Sequence, residues 1–254
     1  MPPKPKRQRT ADATKGDQRG VIVIHNPQKT TLVKPPPGSH GLCLPNGSCV
    51  ALVGGVGSSK TTTALNCLAR TAEWMPYENI FLMSPNIETA IKGEYGMVTA
   101  KEFPENQVPP LSFFNSKPGH TAVILDDVTL EMSTKKDKET DKLSQNDRVN
   151  RLCGHMRSHH EGGLDVFICQ QTIIAIPTSI RRLCSHFILF PNRIDRGSLH
   201  TLARSVMVDK RTLEHLFDQC CAMGPYTFIL FENERVPGRA RVRVNGHIEV
   251  PHIN

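Results

Sequence analysis

SCVALVGGVGSSKTTTALNCLARTA, residues Ser48–Ala72, is the stretch that decides how the rest of the chain is read. An apolar run of strand length, Cys49–Val53, breaks into a Gly/Ser turn. A helical pattern then opens at Lys60, with Ala64, Leu65, Leu68, Ala69 and Ala72 along one face. Strand, glycine-rich turn, Lys-Thr and helix together are the layout of a phosphate-binding loop. Successive backbone N–H groups and the helix N-terminus form an anion cradle, the lysine reaches the β- and γ-phosphates, and the hydroxyl holds Mg²⁺. The nucleotide-binding residues are therefore Gly54, Gly55, Val56, Gly57, Ser58, Ser59, Lys60, Thr61 and Thr62, with Thr61 on the metal side. Ser59 stands where the pattern carries its last glycine, and a residue with a Cβ is expected there only if its backbone angles are ordinary.

A second half of the site is readable downstream. Ala122–Asp127 is an apolar strand ending in two carboxylates. Beside a phosphate loop, Asp126 is the metal-side carboxylate and Asp127 can orient the attacking water. Leu164–Cys169 is another apolar run, closed by Gln170 and Gln171. An amide at that strand end can reach the γ-phosphate or the water, or simply cap the strand; which of the two glutamines acts stays open. Pro177-Thr178-Ser179 then starts a short helix carrying Arg181 and Arg182, ahead of a strand at Phe187–Phe190. An arginine there can serve as a finger toward a neighbouring subunit's nucleotide.

Size and composition narrow the class. With 254 residues the chain suits one large domain or a domain with appendages. No apolar run reaches the roughly 18 residues of a membrane span. The eight cysteines are scattered through strands and helices, as suits a reducing compartment, and their spacing suggests no zinc site. A net charge of +7 points mildly to nucleic acid.

Residues 1–19 read as a disordered basic arm and 20–254 as a single phosphate-loop domain. The run Pro3–Arg9 is either an import signal, a phosphate-binding tail or a solvated terminus. Val21–Ile24 reads as a strand, Pro35–Gly38 as a stiff linker, and Ile80–Met83 as a buried strand. Residues 86–118 read as an insertion carrying edge strands, and Lys135–Lys142 as a solvated loop. A helix from Gln145 buries Val149, Leu152 and Met156. Its other faces carry Arg148, Arg151, Arg157, His159 and His160, an ordinary wet face or a DNA contact. Two helical segments follow from Ser198, then a strand at Tyr226–Phe231, a turn at Glu232–Pro237, and an alternating basic strand at Gly238–Val244, read as a protected sheet edge in preference to a strip facing nucleic acid. The alternation of strands and helices gives an α/β fold with a mostly parallel central sheet flanked by helices and a C-terminal antiparallel addition.

In this order the motifs resemble the FtsK–HerA class of pumping ATPases, and within it the genome-packaging ATPases of double-jelly-roll and large nucleocytoplasmic DNA viruses. GGVGSSKTTT, NIFLMSPN, VILDDV and RSHHEGGLDVFICQQTIIAIPTSIRRLCSHFILF carry the resemblance, which covers roughly Gly41 to Val244. It implies a P-loop NTPase fold of the RecA/ASCE type, with ATP and Mg²⁺ as cofactors. Lys60 and Thr61 would be the phosphate and metal ligands, Asp126 the magnesium carboxylate, Asp127 the water-activating group, Gln170 or Gln171 the sensor, and Arg181 the finger with Arg182 as alternative. The implied activity is ATP-driven packaging of double-stranded viral DNA into a preformed capsid. The implied partners are DNA, a homo-oligomeric ring of five or six subunits and capsid vertex proteins. The implied location is intracellular, in a host nucleus or viral factory, with virion association as an option. A helicase or translocase of the same superfamily, or a P-loop kinase, are the rival readings.

Overall fold

In the computed structural model, β1 (Cys49–Val53) lies inside a sheet of nine strands among the described residues, buried along its whole length. The residues described are 42–85, 101–102, 108–130, 144–233, 241–246 and 248–250. The readings of the basic arm, Val21–Ile24, Pro35–Gly38, Lys135–Lys142 and most of the Glu232–Pro237 turn lie outside them. The other strands are β2 (Asn79–Met83), β3 (Lys101–Glu102), β4 (Thr121–Asp126), β5 (Leu164–Gln170), β6 (His186–Leu189), β7 (Ile229–Glu232), β8 (Arg241–Val244) and β9 (Ile248–Glu249). Their order in space is β3-β2-β4-β5-β1-β6-β7-β8-β9. Every pair from β3 to β6 is parallel, and β7, β8 and β9 add on antiparallel.

Strands covered on both faces read as unbroken apolar runs, because side chains alternate between two dry layers. Cys49, Ala51 and Val53 of β1 join one core, and Val50 and Leu52 join the other. The second core is closed by α1 (Lys60–Ala72) through Ala64, Leu65, Cys67 and Leu68. On the opposite face lie α3 (Gln145–Arg151), α5 (Leu199–Ser205) and α6 (Lys210–Met223). Val149, Leu202, Leu213 and Phe217 are their contributions to the larger core. Two shorter helices, α2 (Leu111–Asn115) and α4 (Thr178–Arg181), are also found among the described residues.

Several expectations change on folding. The buried stripe of α1 runs through Ala64, Cys67, Leu68 and Thr71, while Ala69 is exposed and Ala72 half-buried. Thr71 belongs inside because its hydroxyl oxygen accepts the Leu44 N–H at 3.1 Å. Helix α3 does bury Val149, Leu152 and Met156, but it continues as a π-helical stretch, Leu152–Met156, before a last α turn, Arg157–His159. His160 is not on a wet face: it is buried, with Nε2 at 3.1 Å from the Phe114 carbonyl. Arg148 and Arg157 donate to the carbonyls of Val108 and Leu183, whereas Arg151 and His159 are exposed. The strand read at Phe187–Phe190 begins at His186, and the one read from Tyr226 begins at Ile229. The basic strand β8 is not the edge, because β9 pairs along it. Arg243 of β8 instead bonds Glu232 on β7 at 3.0 Å. Within 86–118, β3 is the edge strand expected there.

Candidate nucleotide site

The loop leaves β1 at Gly54, whose N–H donates to the Gln170 carbonyl at 3.2 Å. A Cβ on Gly54 would meet Phe190 Cβ at 2.8 Å and Ser58 Oγ at 2.7 Å, so the loop floor admits glycine alone. Gly57 turns at φ 72° with open space around it. Ser59, the cap of α1, also sits in the left-handed region, at φ 72° and ψ 26°. The expectation of ordinary backbone angles there is therefore wrong. The loop keeps the geometry of the missing glycine, and the serine carries a strain of about 1–2 kcal/mol. Short polar residues tolerate that region better than branched ones, which is why the substitution leaves the loop intact.

Lys60 is buried, and its ammonium donates to the carbonyls of Gly54 and Gly55 at 2.7 and 3.1 Å. The cation thus lies along the inside of its own loop. The first N–H groups of α1 have no acceptor within the helix, as at any helix start, and they point into the same turn. Ser58 Oγ is buried there without a hydrogen-bond partner among the described residues.

Loop and carboxylate strand meet directly. Thr61 Oγ1 donates to Asp126 Oδ2 at 3.0 Å, joining residues 65 apart in sequence. Burial pushes the Asp126 carboxyl above its ordinary value; the Thr61 hydrogen bond and the Lys60 charge oppose this, and the Asp127 charge adds to it. A hydroxyl and a carboxylate side by side are hard oxygen donors, and the pair fits Mg²⁺. Asp127 follows at φ 50°, its N–H bonded to the Cys169 carbonyl at 3.0 Å.

The two glutamines separate cleanly. Gln170 is buried and its amide donates to the Val128 carbonyl at 2.8 Å, tying β5 to the segment after Asp127. Gln171 is exposed and its amide donates to Asp127 Oδ2 at 3.2 Å. Both line a cleft of roughly 700 Å³ together with Asp127, Thr178 and Arg181. Arg181 Nη2 donates to Thr178 Oγ1 at 2.7 Å, and burial lowers the guanidinium's pKa. Arg182 is exposed. One residue at the loop was not anticipated: Arg193, whose carbonyl accepts the Gly55 N–H at 2.5 Å. Nothing in its FPNRID surroundings marks it, because no phosphate-loop motif extends that far along the chain.

The order of strands is diagnostic at this point. The strand bearing Asp126 is not the neighbour of the loop strand; β5 lies between them. No family model and no curated protein matches the chain. Among solved structures, the DNA-packaging ATPase B204 of Sulfolobus Turreted Icosahedral Virus is 12% identical, covering 78% of this chain and 97% of that one, with a TM-score of 0.52. The genome packaging NTPase B204 of Sulfolobus turreted icosahedral virus 2, in complex with AMPPCP, is 13% identical over 78% and 97%, with a TM-score of 0.49. The N-terminal domain of zonular occludens toxin from Neisseria meningitidis is 16% identical over 78% and 93%, with a TM-score of 0.40. At such identities the likeness is one of fold: the chain has a P-loop NTPase fold with a mostly parallel sheet and an antiparallel C-terminal addition.

Proposed function

We propose that this protein is an ATP-driven translocase that packages double-stranded viral DNA into a preformed capsid. The observation that carries the nucleotide half of this reading is the Thr61–Asp126 hydrogen bond, which sets a hydroxyl and a carboxylate together beside Lys60. The packaging half is supported by the four motif blocks taken together and by the fold shared with a viral DNA-packaging ATPase.

In this mechanism Gly54–Thr62 wraps the phosphates, and Lys60 moves from its own carbonyls to the β- and γ-phosphate oxygens. Thr61 and Asp126 would hold Mg²⁺, which would supply charge neutralisation for the phosphates. Asp127 orients the attacking water, with Gln171 holding the Asp127 carboxylate from outside. Gln170 fixes the backbone of Val128 and so the spacing between β4 and β5. Hydrolysis asks for little covalent chemistry from the protein; position and charge lower the barrier. Arg181 and Arg182 are the finger candidates across a subunit interface of a ring of five or six copies, and Arg182 is the more exposed of the two. A finger supplied in trans is worth about 10³–10⁵ in kcat. DNA is gripped through its phosphates rather than its bases, which lets a motor move any sequence and makes binding strongly salt-dependent. Capsid vertex proteins are the docking partners, in a host nucleus or viral factory.

The test is ATP hydrolysis by the full-length protein with and without long duplex DNA. Hydrolysis is expected to rise with DNA, and Lys60→Ala to abolish both hydrolysis and capsid filling. Hydrolysis indifferent to DNA, or capsids filled by the Lys60→Ala protein, overturns the proposal.

A further inference from the structure

Beyond β6 the chain makes a short 3₁₀ turn, Pro191–Arg193, that none of the roles above employs. The turn is fixed from several sides. The Phe190 N–H donates to the Val53 carbonyl and the Arg193 N–H to the Phe190 carbonyl, each at 3.0 Å. The Asn192 amide donates to the Gly224 carbonyl at 2.7 Å, anchoring the turn to the end of α6. The Arg193 carbonyl closes onto the phosphate loop by accepting the Gly55 N–H. A Cβ on Gly55 would stand 2.7 Å from that carbonyl oxygen and 3.5 Å from Arg193 Cβ. The arginine side chain therefore begins in contact distance of the loop.

Several arginines of this chain are engaged by protein groups. Arg196 bonds Asp218, Arg243 bonds Glu232, and Arg148 and Arg157 each bond a backbone carbonyl. The Arg193 guanidinium is exposed and makes no hydrogen bond or ion pair with any described residue. An unpaired, permanently charged fork with five donors thus stands on a braced backbone at the rim of an anion cradle. Phosphate oxygens are the acceptors that such a fork matches.

We infer that Arg193 is a ligand of the nucleotide's phosphates within its own subunit. The inference rests on the reading of Gly54–Thr62 as a nucleotide site. It adds a second cation at the loop besides Lys60, separate from any arginine supplied by a neighbour. Because the contact is with phosphate charge, its effect grows with the number of phosphates. A lysine at the position keeps the charge and loses the paired geometry.

The experiment measures equilibrium binding of a non-hydrolysable ATP analogue, ADP and AMP to full-length wild type, Arg193→Ala, Arg193→Lys and Lys60→Ala. Arg193→Ala is expected to weaken the triphosphate about tenfold, ADP less and AMP least, with Arg193→Lys recovering part of the loss. Its melting temperature is expected to match wild type, since only an exposed side chain is removed. In assemblies mixed from Arg193→Ala and Lys60→Ala subunits no tight site is expected, because each site lacks one of its own two cations. Wild-type affinity in Arg193→Ala overturns the inference, as does recovery of tight sites in that mixture, which marks an arginine supplied across an interface. If Lys60→Ala loses binding while Arg193→Ala keeps it, only this inference falls. If wild type binds no triphosphate, the nucleotide reading falls with it.

Discussion

Two aspartates on neighbouring strands, one half-buried and one fully buried, show what separates a site from a scaffold. Asp126 ends β4, and Asp165 opens β5 at the opposite margin of the sheet. The five residue steps from Asp165 to Gln170 put about 17 Å between the two margins. Asp165 is fully buried and takes three donors: the Ser48 N–H at 2.6 Å, the Tyr77 hydroxyl at 2.7 Å and His120 Nε2 at 3.0 Å. Tyr77 stacks on His120 with ring centroids 4.0 Å apart, and burial, then the Asp165 charge, pushes its phenol well above the ordinary value. It therefore stays protonated and keeps donating. Asp126 has one donor, Thr61, and its surroundings raise its pKa. A carboxylate whose lone pairs are engaged by protein stabilises a fold, and one left short of donors is ready for a ligand.

The sharpest way to break this contrast is to remove the group that serves only the ligand end. Lys60→Ala is expected to lower kcat/KM for ATP by about 10³-fold or more, with melting unchanged to within a few degrees. Phosphate release and thermal melts on the same preparation check both halves. The mirror experiment is Asp165→Ala, which strands the Tyr77, His120 and Ser48 donors. It is expected to cost about 3–5 kcal/mol of stability in urea melts, while hydrolysis per folded molecule persists. If Asp165→Ala melts like wild type, the scaffold role is wrong.

Acid separates the two margins further. His186, between them on β6, has its pKa lowered to about 4 by burial, then by the charges of Arg157 and Arg243. The unfolded chain binds this proton first, so stability is full above pH ~6.5 and falls as pH drops toward 4, by roughly 3 kcal/mol at most. His186→Gln is expected to flatten that part of the stability profile. The raised Asp126 pKa acts the other way on stability: its cost to the fold is present at neutral pH and is relieved on protonation. In the metal-free protein the Asp126 carboxyl is expected to titrate above the ordinary carboxylate value of about 4, and a side-chain NMR titration measures it. The smallest effect expected is from Ser59→Gly, which removes the left-handed strain against added chain entropy and gains up to about 1 kcal/mol, read as a rise in melting temperature.

The same contrast explains what was legible in the chain. The loop, the Asp126–Asp127 strand and the Gln170–Gln171 strand announce themselves because their chemistry is contiguous in sequence. The parallel sheet follows from apolar runs interrupted by helices. The scaffold aspartate was invisible: LDVFICQ reads as one more buried strand, and its partners lie 45 and 88 residues away. The backbone of Ser59 was misjudged because sequence gives residue type, not φ. Arg193 was missed for the same reason as Tyr77 and His120: only the fold brings it to its neighbours. The cover of β9 along β8 was also missed, a two-residue strand being too short to carry a period.

The wide turn at Leu152–Met156 has a consequence for how this protein can vary. A helix holding an additional residue in one turn can lose that residue and close into a regular α-turn, with the turns on either side keeping their headings. Arg151 and His159 would stay on the outside and His160 would keep its approach to the Phe114 carbonyl. Descendants of this chain are therefore free to shorten that turn by one residue, whereas a deletion in a regular turn rotates everything after it by about 100°.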